Sequence, residues 1–151
     1  MVDESVIGKN QPGYEMEIER GKIREFARAT MSRNPDYLDD PVAVIPPTFL
    51  ISSGFWAPPD APNPAASLNI NLARLLHGGQ EFVFYGPPPR AGAKLTTASR
   101  VDKVYEKEGR RGGTMRFAET VTEFRDEGGK LVAESRTTLI ETGKAPTEEG
   151  S

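Results

Sequence analysis

Residues 46–56, Pro-Pro-Thr-Phe-Leu-Ile-Ser-Ser-Gly-Phe-Trp, form the most apolar segment that also carries a helix-start signal. Proline is tolerated in a first helical turn, where its missing N–H would lack an intrahelical partner anyway. Apolar or small residues then surround the helix axis on all sides, the pattern of a helix buried all round. Length alone leaves a strand open here.

Upstream, Tyr14-Glu15-Met16-Glu17-Ile18 alternates apolar and acidic residues, the period-2 signature of a strand with one buried face. After Arg20-Gly21 the period changes. Ile23, Phe26, Ala27 and Thr30 fall at i, i+3, i+4 and i+7, one face of a helix whose other positions carry Arg and Glu. That helix is expected to stop before Asn34-Pro35, because the residue preceding a proline is pushed out of the α region.

Downstream, residues 57–67 are rich in proline, alanine and asparagine and read as an irregular loop. Residues 68–77 fit either a short helix or an extended lead-in. Glu81-Phe82-Val83-Phe84-Tyr85, after Gly78-Gly79, has high β-propensity. Three longer strand candidates follow at about 94–108, 114–126 and 131–142. The links Gly109 to Gly113 and Glu127-Gly128-Gly129-Lys130 between them predict hairpins. In the first run Leu95, Thr97, Ser99, Val101, Lys103 and Tyr105 share one face, which is only partly apolar.

A buried central helix wrapped by an antiparallel sheet of about five strands satisfies this order of elements. It predicts an α+β chain with a single hot-dog fold over residues 1–142. Residues 143–151 lack large apolar side chains and are expected to be a disordered tail.

At 151 residues the chain fits one domain with a real core. Its net charge of -3 is scattered in mixed signs, so no basic stripe predicts nucleic-acid binding. Zero cysteines exclude disulfides, thiolate metal ligation and a Cys nucleophile, and a single histidine argues against a His-based metal site. Neither a metal nor another cofactor is expected. The first residues, Met-Val-Asp-Glu-Ser, have no secretory pattern, and no stretch approaches the length of an apolar membrane span, so a cytoplasmic setting is expected.

Five segments in order carry a resemblance: E-R-G-K-I-R-E-F-A-R-A-T (19–30), N-P (34–35), I-P-P-T-F-L (45–50), L-H-G-G-Q-E-F (76–82) and P-P-P-R-A-G-A-K-L (87–95). Over roughly residues 7–142 the chain resembles the MaoC-like dehydratase family. The likeness is to its N-terminal-half (FAS1-like dehydratase) branch, which includes noncatalytic subunits of heterodimeric hydroxyacyl-thioester dehydratases. The resemblance implies double hot-dog assemblies, acyl thioesters of coenzyme A or acyl carrier protein, and reversible addition of water to a trans-2-enoyl group.

In that family the helix runs into a loop of pattern D-x-N-P-x-H, whose Asp and His activate water. Here Asn34-Pro35 remain, Ser32 stands where the Asp belongs and Tyr37 where the His belongs. Reference pKa values of about 3.9 for Asp and about 6.5 for His suit proton transfer, whereas Tyr titrates near 10 and serine not at all in a useful range. Losing a positioned general acid or base removes roughly 10²–10⁴-fold of rate. Asp36, Asp39 and Asp40 offer a partial rescue, set against a plainer role as solvated turn residues.

His77 is the sole imidazole, read as structural or interfacial with catalysis as fallback. Gly78 and Gly79 precede a strand without a following G-K-[ST], so a bulge or tight turn is expected rather than a phosphate loop. They also permit close backbone approach to a ligand. Asp102, Glu119 and Glu123 on strand candidates read as exposed charges. Phe49, Ser52, Ser53 and Trp56 are candidate walls of an acyl channel, set against plain core packing. Thr48 is placed at a helix N-terminus facing the thioester oxygen, and Tyr37 is expected to line the same channel.

The leading expectation is a noncatalytic, substrate-lining subunit completed by a MaoC-like catalytic chain. One alternative is a stand-alone homo-oligomeric hydratase or acyl-CoA thioesterase using Asp36, Asp39 or His77. Another is an acyl-CoA-binding module without chemistry.

Overall fold

A computed structural model describes residues 3–62, 66–110 and 113–143. Five strands form one antiparallel sheet in the order β1-β3-β4-β5-β2. They are β1 (Glu15–Glu17), β2 (Leu75–Phe84), β3 (Lys94–Glu108), β4 (Thr114–Arg125) and β5 (Leu131–Glu141). Two α-helices, α1 (Arg20–Ala29) and α2 (Pro35–Leu38), follow β1, and a 3-10 segment spans Phe49–Trp56. This is the hot-dog arrangement. Among the described residues no helix is long and apolar enough to cross a membrane.

The meander forms where glycine turns predict it. At the β4–β5 turn Asp126 Oδ1 accepts from the N–H groups of Gly128 and Lys130, and Gly129 supplies the positive φ of +81°. Gly109 N–H donates to the Gly113 carbonyl across the β3–β4 turn, whose tip lies outside the described residues. The expected tail falls there too, beyond Gly143.

The face predicted for β3 holds from Leu95 to Val101 and then changes. A bulge between Val101 and Lys103 shifts the register with β4, so Val104 turns inward and Lys103 outward. The weak alternation in the sequence is therefore a bulge. Gly78-Gly79 also mark a bulge, between His77 and Gly79, but inside β2, which starts at Leu75 ahead of the expected 81–85 run. The ambiguous stretch 68–77 proves to be both readings, a short 3-10 turn at Leu72–Arg74 and then strand.

A larger core cluster joins Met16, Ile18, Ile23, Phe49, Leu50 and Phe124, with Phe26, Tyr37, Trp56 and Phe82 packed against it. A smaller one joins Leu68, Val101, Val104 and Ala118. Burying side chains of this size yields about 1.5–3 kcal/mol each, which is what fixes the sheet on the helical layer.

The 46–56 segment departs from expectation. It is 3-10 helical from Phe49 to Trp56, and only Phe49 and Leu50 are buried. With three residues per turn, residues at i, i+3 and i+6 align, so Phe49, Ser52 and Phe55 form one stripe. Ile51 is 49% exposed and Phe55 86%. The central helix is thus seated in the core by Phe49 and Leu50, with Trp56 half-buried against it and Ile51 and Phe55 open to solvent.

Candidate functional site

The candidate loop begins where α1 ends. Ser32 N–H donates to the Ala27 carbonyl (2.8 Å) and Met31 N–H to the Arg28 carbonyl (3.0 Å), the paired bonds of a Schellman motif. Met31 occupies the left-handed position, φ +59°, where glycine is the usual residue. Thr30, expected on the buried face, is exposed; its hydroxyl donates to the Phe26 and Ala27 carbonyls and so closes the last turn.

Asn34-Pro35 then start a second helix. Asn34 Oδ1 accepts from Asp36 N–H (3.0 Å) as the N-cap, and Pro35 takes the first helical position. Ser32 Oγ accepts from Asn34 N–H (3.3 Å), so the side chain at the Asp position of the pattern serves the loop backbone. Tyr37 lies on α2, half-buried against the larger core cluster. The two positions that would carry proton chemistry thus hold a turn-closing hydroxyl and a packed ring.

The neighbouring carboxylates are exposed or structural. Asp36 and Asp39 are exposed. Asp40 Oδ1 accepts from Val42 N–H (2.8 Å), and Arg90 stands 3.8 Å from its other oxygen. Arg20 donates to the Asp39 and Asp40 carbonyls, fastening the end of α2 to the start of α1.

Across α1, a pocket of about 320 Å³ opens between the helix and the 3-10 segment. Phe26, Ala29, Phe49, Ser52, Phe55 and Trp56 line it, with Lys22 and Glu25 at its polar margin. Phe49 meets Phe26 and Trp56 edge-on at 5.5 and 6.2 Å between ring centroids, which holds the aromatic walls in place. Ser52 Oγ donates to the Phe49 carbonyl (2.6 Å), so its polar atom is already matched. Phe49, Ser52 and Trp56 are therefore brought together. Ser53 is apart from this wall; its carbonyl accepts from the Tyr14 hydroxyl (3.1 Å).

Thr48 is exposed at the head of the 3-10 segment and makes no side-chain cap. The Phe49 and Ile51 amides beside it already donate to the Pro46 and Thr48 carbonyls. His77 is exposed on β2, paired with Leu139. A Cβ at Gly78 would collide with the Ile140 side chain, so that glycine serves strand packing. Gly79 lines a separate, polar depression of about 520 Å³ on the sheet face turned away from the core.

That outer face is a field of matched charges. Arg125 and Arg100 hold Glu123 at 2.8 and 2.9 Å and keep its carboxyl below the usual range against the opposing effect of burial. Glu119 accepts from the Tyr105 hydroxyl and faces Lys103 at 3.4 Å; burial, then this carboxylate, push the phenol up. Asp102 stands 3.9 Å from Arg100. Arg100 is shared by Asp102 and Glu123 while Glu119 pairs with Lys103, so all three carboxylates are matched by cations and form no acid–base pair. Among the described residues no group of three His, Asp or Glu could hold a metal ion.

Sequence reasoning missed the contribution of α1 to the pocket. Its signal was available: Lys22, Phe26 and Ala29 recur at helical spacing beside the buried Ile23–Ala27 stripe.

The FAS1-like, dehydratase domain region model matches residues 5–135. The chain belongs to that family. A UPF0336 protein of Saccharopolyspora erythraea is 33% identical, with 99% of this chain and 97% of that protein covered. One chain of the HadBC (3R-hydroxyacyl-ACP dehydratase) complex of Mycobacterium tuberculosis superposes with TM-score 0.68 at 24% identity, over 89% of this chain and 96% of its own. One from the ChsH1–ChsH2 complex of the same organism gives 0.69 at 16% identity, over 93% and 86%. At those identities the structures speak for the fold alone, and it is the hot-dog fold that this FAS1-like dehydratase-region chain shares with them.

Proposed function

We propose that this chain is the noncatalytic, substrate-lining subunit of a heteromeric enoyl-thioester hydratase (3-hydroxyacyl dehydratase), working in the cytoplasm. A partner hot-dog chain would supply the Asp and His of the D-x-N-P-x-H loop. The observation that carries the reading is the state of residues 32–37: Ser32 Oγ is used by the loop backbone, and Tyr37 packs into the core. Neither is the carboxylate or the imidazole that the loop pattern uses for proton transfer.

The apolar pocket supports the substrate half of the reading. Aromatic walls at Phe26, Phe49, Phe55 and Trp56 suit a hydrocarbon chain, which gains about 0.8 kcal/mol per buried CH₂. The edge strand β2 supports the partner half. It pairs only with β5 among the described residues, and Leu76 on it and Tyr85 just past its end are exposed. A partner sheet joining there would satisfy its open backbone groups. Tyr37, Thr48, Ser53, Gly78 and Gly79 stay in this proposal only as positions a bound thioester or the partner would approach.

Ala29→Trp tests the pocket, because Ala29 lines it with an exposed side chain and the indole would fill it. In the reconstituted enzyme, KM for long-chain enoyl thioesters should rise about tenfold or more, the equivalent of one or two lost CH₂ contacts. The short crotonyl thioester should be unaffected. An equal change for both lengths would remove the pocket from the acyl path.

A further inference from the structure

Four apolar side chains line up across the outer face of the sheet. Tyr105 on β3 is paired with Phe117 on β4, Phe117 with Ile140 on β5, and Ile140 with Leu76 on β2. Directly paired residues of antiparallel strands share a face, so the row crosses all four long strands and runs roughly 14 Å. Leu76 is 51% exposed, the other three are half-buried, and none of the four belongs to either core cluster.

The row is held in place by its neighbours. The Tyr105 and Phe117 rings stack at 5.0 Å between centroids, and Lys107 Nζ lies 5.2 and 5.3 Å from the two. The Tyr105 hydroxyl is tied to Glu119. Ile140 occupies the space that a Cβ at Gly78 would need. Elsewhere this face is charged but balanced pair by pair: Glu123 with Arg125 and Arg100, Glu134 with Arg136, Glu119 with Lys103. Such a face steers neither an acidic nor a basic partner, yet meets its own copy without net repulsion, in a chain whose net charge is -3.

We infer that a second copy of this chain docks on this row, outer face to outer face, about a two-fold axis lying between the sheets and running along the strands. That axis reverses the row, so Tyr105 and Phe117 of one copy lie over Leu76 and Ile140 of the other. The aromatic half of the row meets the aliphatic half, which makes the patch self-complementary. Farther along the strands, Arg100 and Glu81 stand at opposite ends of one register line, so the same axis sets Arg100 over Glu81 of the other copy. Glu123 falls over Glu134, and both are already neutralised by their arginines. Four strands about 4.8 Å apart and about ten residues long offer roughly 600 Å² per copy, or about 1,200 Å² together, above the ~1,000 Å² that a specific interface needs. The contact uses neither the pocket along α1 nor the backbone edge of β2, so it stands apart from the function proposed above.

Light scattering of the full chain over a range of concentrations tests it. The wild type should reversibly double its mass as concentration rises. Phe117→Glu, whose carboxylate Lys107 can match locally, and Ile140→Lys should each weaken the association about tenfold or more, with circular dichroism unchanged. Mixed in equal amounts, the two variants should associate again, because the reversed row sets the new carboxylate over the new ammonium. Phe55→Glu, at an 86% exposed site in the helical layer, should behave as the wild type. A wild type whose mass does not change with concentration, variants that associate as the wild type does, a mixture no better than its components, or equal loss with Phe55→Glu would each overturn the inference.

Discussion

Met31 and Ser32 show how much of this loop is set by local chemistry. A non-glycine residue in the left-handed region costs about 1–2 kcal/mol. Met31 bears that cost with its side chain in solvent and no packing in return. Met31→Gly should therefore raise stability by about 1 kcal/mol, seen as a melting-temperature gain of about 2–4 °C for a chain of this size. A drop in melting temperature would mean that the methionine packs in a way its exposure denies. Asn34→Ala should cost about 1 kcal/mol, because Asp36 N–H loses its cap, and denaturant unfolding would report it. No change would show that the pair Asn34-Pro35 is dispensable to the loop.

Among the elements, the end of β5 carries the most tightly held carboxylate. Burial acts to raise the Glu141 pKa, but the Asn71 N–H and the Arg116 and Arg74 guanidinium groups outweigh it, and the net shift is downward. A carboxylate depressed in the folded state adds stability above its unfolded pKa, near 4.5, and loses it as pH falls through the folded value. Glu141→Gln should melt lower than wild type at pH 7, with the gap closing as pH falls below that range. The loss should stay under the roughly 3–5 kcal/mol of a fully buried broken pair, since Arg74 and Arg116 are 33% and 23% exposed. A gap independent of pH would assign the effect to packing.

The same scale shows what the sequence made legible. Strands β3, β4 and β5 were readable because glycine turns are local chemistry. The α1 face was readable at Ile23, Phe26 and Ala27. The 3-10 form of residues 49–56 was not, because apolar residues all round an axis carry no period, and which face is covered depends on tertiary neighbours. The β3 bulge hid in an alternation that looked merely weak. Within the site, Ser32 and Tyr37 stood out against the loop pattern. Phe49, Ser52 and Trp56 were named as a candidate wall; the α1 half of the pocket was not, because it comes from a segment about 25 residues earlier in the chain.

At the scale of the molecule, the proposed role beside another chain rests on the apolar pocket along α1, the β2 edge of the sheet and the 32–37 loop. Phe55 at the pocket mouth and Leu76 on β2 leave apolar surface that a partner or ligand would cover. The most direct measurement is hydration of crotonyl-CoA and of a long-chain enoyl-CoA, by the purified chain alone and with a hot-dog partner bearing the intact Asp and His. The account predicts no hydration above background by the chain alone. With the partner, activity should appear and should exceed that of the partner by itself on the long-chain substrate. Strong hydration by the isolated chain would contradict the central claim.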